Sequence, residues 1–532
     1  MTAAAAVLTQ AGAEVRMRLR SGATLAAVLA IAAGTWFWLP SARGHAVSIS
    51  WKNAAGETVA PLYTSATVGV SVTVFASIFL SLAGFYLVAG SVRRDRERGV
   101  GAILAATPLS NEAYLLGKFA ANLGYLSVLG ALMLGIGALR FAAEGVGPFR
   151  PLAFAAPLLL IGGPALAFVA AAAVLFDVAP VLRGRFGLVA WFFAFLLVTA
   201  LASVSRHTGK GHLRSARVPA FDPTGAATIE QLVVESVPGA QKDSFSAGHI
   251  VLDRAPARVP WAGIRYSPRV VAARLANFGW GLPALFAAFL LFDRFDPARF
   301  RRSRRLRKKE DPSAAPEGAA AAGYRSYSGL SGAPPAPRAA SAIAAEALLV
   351  WQTAPAAKWL LPAVALASLA VPASALTGIA AAWLVLLVPL VSETAAREDL
   401  SGVGPLVFSQ PAIPRSAALW KAASLALFLA AAGLPLGVRF FLLSPARGAA
   451  WFTGLLFIAG FAAGAGWLTR GGKLSSGVFL ALWYAALSGV KDADFCGIAG
   501  GATGAPARAF YLAVGGAIVG AAMLRERAAR RA

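Results

Sequence analysis

The sequence predicts an all-α polytopic membrane protein, with about 12 transmembrane helices arranged as two six-helix halves. Composition is the first ground. Mean hydropathy is +0.66, 58% of residues are apolar and 14% are charged, against roughly a quarter charged in soluble domains. Spacing is the second ground: apolar runs of about 18 to 25 residues recur along the chain, long enough to cross roughly 30 Å of hydrocarbon. A repeat is the third. The segment from Arg96 to Lys118 returns, with its second Lys 303 residues on, as Arg397 to Lys421, each time after the second apolar run of its half.

Taken in order, the first half reads as spans at 22–40, 64–91, 119–140, 152–176, 186–204 and 273–293. The second reads as spans at 359–373, 376–392, 418–442, 450–468, 474–490 and 508–524. Span 1 follows Arg16, Arg18 and Arg20 as the core of a signal peptide would. The stretch LPSARGHA offers no clean small-x-small cleavage site and more spans follow, so span 1 is expected to be retained. Spans 7 and 8 are short and close, as in a tight helical hairpin. The long connection 205–272 holds the β-prone runs IEQLVVE and HIVLD between Pro and Gly, and predicts a small external loop subdomain between spans 5 and 6. Residues 296–340 carry eight basic residues from Arg299 to Lys309 and are then rich in Ala, Pro, Gly and Ser. Such a stretch cannot bury a core and reads as a cytoplasmic linker. The expected domains are therefore 1–295, 296–340 and 341–532.

The net charge of +25 suggests nucleic acid at first sight. Its basic residues, however, cluster beside span ends: Arg93 to Arg98 after span 2, Arg183 and Arg185 after span 4, Arg470 and Lys473 between spans 10 and 11, Arg525 to Arg531 at the end. That pattern sets topology, with both termini cytoplasmic, and points to a lipid bilayer rather than a nucleic acid as the surface these charges serve.

Chemistry is conspicuous by its absence. No Asp, Glu, Lys or His lies in the central part of any expected span, so buried proton relays are unsupported. No phosphate-binding loop is present: GWLTRGGKL, from Gly466 to Leu474, has the wrong spacing and lacks the hydroxyl that would meet Mg²⁺. The four His (His45, His207, His212, His249) follow no metal-ligand spacing. No nucleophile elbow appears. The single Cys496 forms no internal disulfide. The chain is not expected to be an enzyme or to bind a cofactor or metal itself.

The repeated segment is what remains. Each copy opens with Arg-Glu, runs through Val-Gly into an apolar stripe (Val100, Ile103, Leu104, Thr107, and Val403, Leu406, Val407, Gln410), and closes with Pro108 or Pro411. Ten residues later Lys118 or Lys421 stands at the mouth of the next span. A short amphipathic helix stated twice suits a partner with twofold symmetry. A basic cytoplasmic loop is the plainer reading, and two matching copies weigh against it.

The first copy, within SVRRDRERGVGAILAATPLSNEAYLLGKFAANL, resembles the coupling-helix region of ABC transporter permeases of the type-2 exporter (ABC-2) family. AGAEVRMRLRS (Ala11 to Ser21) is similar to that family's amphipathic elbow helix, and AAEALLVWQTAP (Ala344 to Pro355) repeats it weakly. FDPTG, from Phe221 to Gly225, is similar to an Asp-Pro-Phe-Gly phrase in the external loops of such permeases. The resemblance covers most of 10–295 and, more loosely, 340–525. The second half departs from the pattern at Ser401, Gly402 and Gln410, and its external loop shrinks to about 491–507.

The resemblance implies the membrane-spanning permease subunit of an ATP-driven ABC exporter in the cell (inner) membrane. ATP and Mg would be bound by separate ATPase (nucleotide-binding) subunits, in two copies. The docking residues would be Glu97, Gly99, Val100, Ile103, Leu104, Thr107 and Pro108, with Glu398, Val403, Leu406, Val407, Gln410 and Pro411. Glu97 and Glu398 would orient the helices by capping or by pairing with Arg. The alternatives are a twelve-span secondary transporter of the major facilitator type, which predicts a Gly-x-x-x-Asp-Arg-x-Gly-Arg turn not found here, and a non-transporting membrane scaffold.

Overall fold

A computed structural model describes residues 2–42, 44–204, 222–237, 239–241, 244–252, 254–295, 339–352, 357–404, 416–487, 493–498 and 504–531. The chain divides into two compact units, Met1–Phe295 and Asp296–Ala532. Both are built mostly of helices. Among the described residues, seven helices are long and apolar enough to cross a membrane by length and composition, and an eighth candidate is a bent pair. Four further expected spans are shorter apolar helices. The linker lies almost wholly outside the described residues.

In the first unit, α1 (Ala3–Leu19) is followed by α2 (Gly22–Trp38), whose Ser21 cap accepts from Thr24 N. Strands β1 (Ala46–Lys52) and β2 (Thr58–Pro61) then precede α3 (Ser65–Val88). Two short helices follow, α4 (Ser91–Glu97) and α5 (Val100–Ala105), then the 34-residue α6 (Asn111–Glu144). The fourth span is α7 (Pro151–Pro157), a π-turn at Leu158–Gly162, and α8 (Gly163–Val178). The local widening follows from Pro157 and Pro164, which lack the N–H that would continue a regular ladder. Next come α9 (Arg185–Val204), α10 (Ala226–Ser236), strands β3 (Ser246–Val251) and β4 (Ala257–Val259), α11 (Pro268–Asn277) and α12 (Leu282–Leu291). Leu282, Phe286 and Leu290 form an exposed apolar stripe at four-residue spacing along α12. An uncovered stripe of this kind suits contact with lipid.

Two expectations are corrected here. The all-α prediction misses a four-stranded sheet of order β3-β1-β2-β4. β1 pairs antiparallel with β2 and β3, and β2 runs parallel to β4. The subdomain predicted from 205–272 therefore also takes in 46–61, whose alternating AVSISWK is a strand pattern. IEQLVVE, read as β-prone, lies in α10. Its Ile229, Leu232 and Val233 at i, i+3, i+4 join Trp51, Trp261, Val70 and Val74 in one core. Asp222 starts that helix: its carboxylate accepts from Gly225 N at 2.9 Å, and from Thr228 N and Oγ1 at 2.8 and 2.7 Å. Gly225 sits at φ +77, where a side chain would be strained and would also meet Ile161. The phrase Asp222 to Gly225 is thus a helix start.

The second unit runs α13 (Ala339–Gln352), α14 (Ala357–Ala370), α15 (Ala373–Val391), the four-residue α16 (Arg397–Leu400), α17 (Ala417–Ala432), α18 (Leu434–Leu443), α19 (Pro445–Thr469), α20 (Lys473–Leu487) and α21 (Ala505–Arg531). α14 and α15 meet at a two-residue turn. The expected span 418–442 is not one helix: α17 and α18 are bent by 64°. Pro435 follows Gly433 there and cannot donate into the preceding turn. Trp383, Trp451 and Phe440 fill the core beside the bend, and Trp451 Nε1 donates to Gly433 O at 3.1 Å.

Candidate functional site

Each unit holds a buried charge cluster that ties its repeated segment to a helix near the start of the unit, α1 or α13. In the first unit, Lys118 on α6 is 3% exposed. Its ammonium donates to Glu14 Oε2 of α1 at 3.0 Å and pairs with Asp95 Oδ2 of α4 at 2.8 Å. Arg94, next to Asp95, reaches Glu14 Oε1 at 3.0 Å. Arg18, one turn along α1, donates to Glu14 at 3.1 Å and to Asn122 Oδ1 of α6 at 2.9 Å. Tyr114 Oη donates to Asp95 at 2.6 Å. Burial alone would raise the Glu14 carboxyl, but Lys118, Arg18 and Arg94 outweigh it and hold it at about 2. Glu14 is therefore a fixed anion binding three cations.

The second unit repeats the arrangement. Lys421 of α17 is fully buried. It donates to Glu398 Oε2 of α16 and lies 3.6 Å from Glu346 Oε1 of α13. Arg397 Nη2 donates to both oxygens of Glu346 at 2.8 Å. Glu346 thus stands where Glu14 does, and Arg397-Glu398 stands where Arg94-Asp95 does.

This overturns part of the sequence alignment of the two copies, which matched Arg96-Glu97 to Arg397-Glu398 at the cost of a two-residue difference. Arg94 and Arg397, Gly99 and Gly402, Val100 and Val403, and Lys118 and Lys421 are each 303 residues apart, so the copies align without a gap. Gly99 and Gly402 confirm the register, with φ of +75 and +74. Each breaks its helix at the same point in a conformation costly to any other residue. Glu97 and Glu398 are not equivalent. Glu97 is 44% exposed and pairs with Arg93 one turn back at 3.5 Å, whereas Glu398 is buried on Lys421.

Beyond Gly99, α5 is only six residues long and presents two faces. Ile103 is 68% exposed and Val100 is 40% exposed. Leu104 turns inward against a core that includes Tyr114, Leu115, Val178 and Phe292. Thr107 lies past the helix, its hydroxyl donating to Leu104 O at 2.7 Å, and Pro108 is exposed. The expected stripe is therefore split between the solvent and the protein's own interior. On the second copy Val403 is 41% exposed and Gly402 is exposed. Leu406, Val407, Gln410 and Pro411 lie outside the described residues.

The chain leaving α12 braces α5 from behind. Arg294 donates to Thr107 O at 3.1 Å, Ala105 O at 3.4 Å and Asn111 Oδ1 at 3.1 Å. Phe295 lies so close to Gly101 that a Cβ there would come within 2.6 Å of its ring. Asp293 accepts from Arg96 at 2.6 Å and pairs with Arg183 at 3.5 Å. Arg294 and Phe295 both adopt positive φ, 46° and 62°, a strain that the surrounding contacts sustain. Sequence reasoning missed Glu14, Asp95, Glu346, Asp293 and Arg294. The one signal available was a single Glu inside each otherwise apolar or basic helix.

Among the described residues no group of three or more His, Cys, Asp or Glu is arranged to hold a metal ion. The cluster joins α1, α4 and α6, and the short α5 that follows α4 carries an apolar exposed tip. No family model, curated protein or solved structure matches this chain.

Proposed function

We propose that this chain is the membrane-spanning permease subunit of an ATP-driven ABC exporter, docking ATPase subunits through its two repeated segments. The observation that carries the reading is the exposed Ile103–Val100 tip, fixed through Gly99 and the Glu14–Lys118–Asp95 cluster to α1 and α6. A partner that pushes on such a tip would move two long helices together, because a buried polar network rigidifies the elements it joins. The second unit offers a parallel device in Val403, Gly402 and the Glu346–Lys421–Glu398 cluster. Closure of two ATPase subunits on ATP would then drive both segments at once. In this reading both termini and the linker are cytoplasmic and the β-sheet subdomain is external.

Two measurements test it together. Reporter fusions at Ala315 and after Ala532 should be cytoplasmic and one at Gly239 external; the reverse placement would remove the docking surface from the side where ATP is found. The tagged chain, gently extracted from its native membranes, should carry an ATP-hydrolysing subunit. A chain that reproducibly comes out alone under conditions preserving other membrane complexes would count against the assignment.

A further inference from the structure

α5 has six residues, too few to hold as a helix without outside support. The charge cluster itself lies on α1, α4 and α6, and Gly99 breaks the chain between α4 and α5. Leu104 gives α5 one inward anchor. Asp293, Arg294 and Phe295, just past the end of α12, hold the segment at three further points.

Arg294 meets the far end. A helix leaves its last carbonyls unpaired, and a cation is favourable there. The guanidinium donates to Ala105 O and Thr107 O, and to Asn111 Oδ1 where α6 begins. Phe295 meets the near end, with its ring against Gly101. The same ring stands edge-on to Tyr114 and Phe292, with centroids 5.6 and 5.3 Å away, and the Arg96 guanidinium lies 5.6 Å over it. Asp293 joins the two sides, accepting from Arg96 of α4 and from Phe295 N at 3.2 Å. Arg294 and Phe295 are successive non-glycine residues in the left-handed region. Such a backbone persists only where its surroundings hold it. This strained turn brings both side chains onto α5.

We infer that Asp293, Arg294 and Phe295 form a latch that positions α5 and makes α12 a third helix fastened to it, beside α1 and α6. They are positioning residues for the exposed tip. The latch stands without the docking reading, and its effect on a partner rests on that reading.

The test follows amide hydrogen exchange across Ala102–Thr107 in the purified full chain, with melting temperature as a control. Ala106 N bonds Ala102 O and Thr107 N bonds Leu104 O, so exchange there reports whether the short helix is held. Arg294→Gln should speed that exchange roughly tenfold, as losing charge-assisted hydrogen bonds implies, with little change in melting temperature. Arg294→Lys, which can still donate to the carbonyls, should keep most of the protection. Gly101→Ala gives a change of sign. It should speed exchange in the wild type, where the added methyl meets the Phe295 ring, and slow it in Phe295→Ala, where alanine simply favours a helix over glycine. If Phe295→Ala does not fold, the two Arg294 variants decide alone. Unchanged exchange in Arg294→Gln, or Gly101→Ala acting in the same direction in both backgrounds, overturns the latch. In native membranes Arg294→Gln should also lower the ATPase activity recovered with the tagged chain. A wild type that carries no ATPase would defeat the docking reading and leave the latch standing, whereas a loosened α5 with full ATPase activity would overturn its role in positioning the tip.

Discussion

The two charge clusters solve one problem with different parts. Glu, Lys, Arg and a second carboxylate recur in both: Glu14, Lys118, Arg94 and Asp95 in the first unit, Glu346, Lys421, Arg397 and Glu398 in the second. The first unit adds Arg18, which bonds Asn122 on α6. The corresponding pair in the second unit is Val350, four residues after Glu346, and Leu425, 303 residues after Asn122; both are buried. One polar pair is thus exchanged for one apolar pair, with the charged core kept. The first cluster therefore has three cations for two anions and the second has two for two. Beyond its bond to Glu14, Arg18 donates to the neutral acceptors Asn122 Oδ1 and Val88 O, and its Nη1 is unpaired. The comparison separates what the device needs, a carboxylate bridge across a buried lysine, from what one unit has added to it.

The largest expected effect follows from that difference in redundancy. Lys421→Met leaves Glu346 and Glu398 with Arg397 alone, and stranding a buried charge costs about 3 to 5 kcal/mol. Lys118→Met should cost less, because Arg18 and Arg94 still hold Glu14. Thermal unfolding of the two variants, followed by loss of monodisperse protein, should show the greater drop for Lys421→Met; equal drops would mean the extra arginine carries no load.

The second effect is pH-dependent and belongs to the first unit. Glu14 titrates at about 2 in the folded chain, below its usual 4.5. A carboxylate depressed in this way stabilises fully above about 4.5, and that contribution disappears as pH falls through about 2. Between those limits wild type should lose stability more steeply than Glu14→Gln, which has no such proton to take up. Parallel curves would show that Glu14 is not the anion the geometry makes it.

The smallest effect tests the exchanged pair. Asn122→Leu alone removes an acceptor from Arg18 and should cost about 1 to 3 kcal/mol. Adding Arg18→Val copies the second unit's apolar pair and should recover most of the loss, a coupling that a double-mutant cycle measures. Strict additivity would break the equivalence drawn between the two sites.

Much of the helical frame was legible in the sequence because long apolar runs leave few alternatives. Hydrophobicity alone did not reveal the bend at Gly433 and Pro435, since an apolar run says nothing of the hydrogen-bond ladder inside it. β1 and β2 were overlooked because a short strand gains its meaning only from β3, almost 200 residues away. The repeat was visible and its register was right from Val100 and Val403 onward; only its opening was set by identity at Arg-Glu. At the opening the structural match pairs Asp95 with Glu398, which differ by one methylene and accept from equivalent ammoniums, Lys118 and Lys421. Glu14 and Glu346 could not be paired from local pattern, because their partners lie 104 and 75 residues further on. Leu104 was placed on the docking face because a stripe at i, i+3, i+4 has no inside or outside until the neighbouring helices are known.

That last point decides the most direct test of the docking proposal. Ile103→Asp puts a charge on the exposed tip of α5, where the chain alone has nothing to lose, whereas Leu104→Asp puts one into the core beside Tyr114 and Phe292. The measurement is ATP hydrolysis recovered with the tagged chain from native membranes, set against the melting temperature of the chain itself. Ile103→Asp should melt like wild type and lose most of the associated ATPase, a cost of about 2 kcal/mol or more for a charge buried in an apolar contact, while Leu104→Asp lowers the melting temperature as well. Full recovery of ATPase activity with Ile103→Asp would contradict the docking proposal, because the apolar tip would then be touching no partner at all.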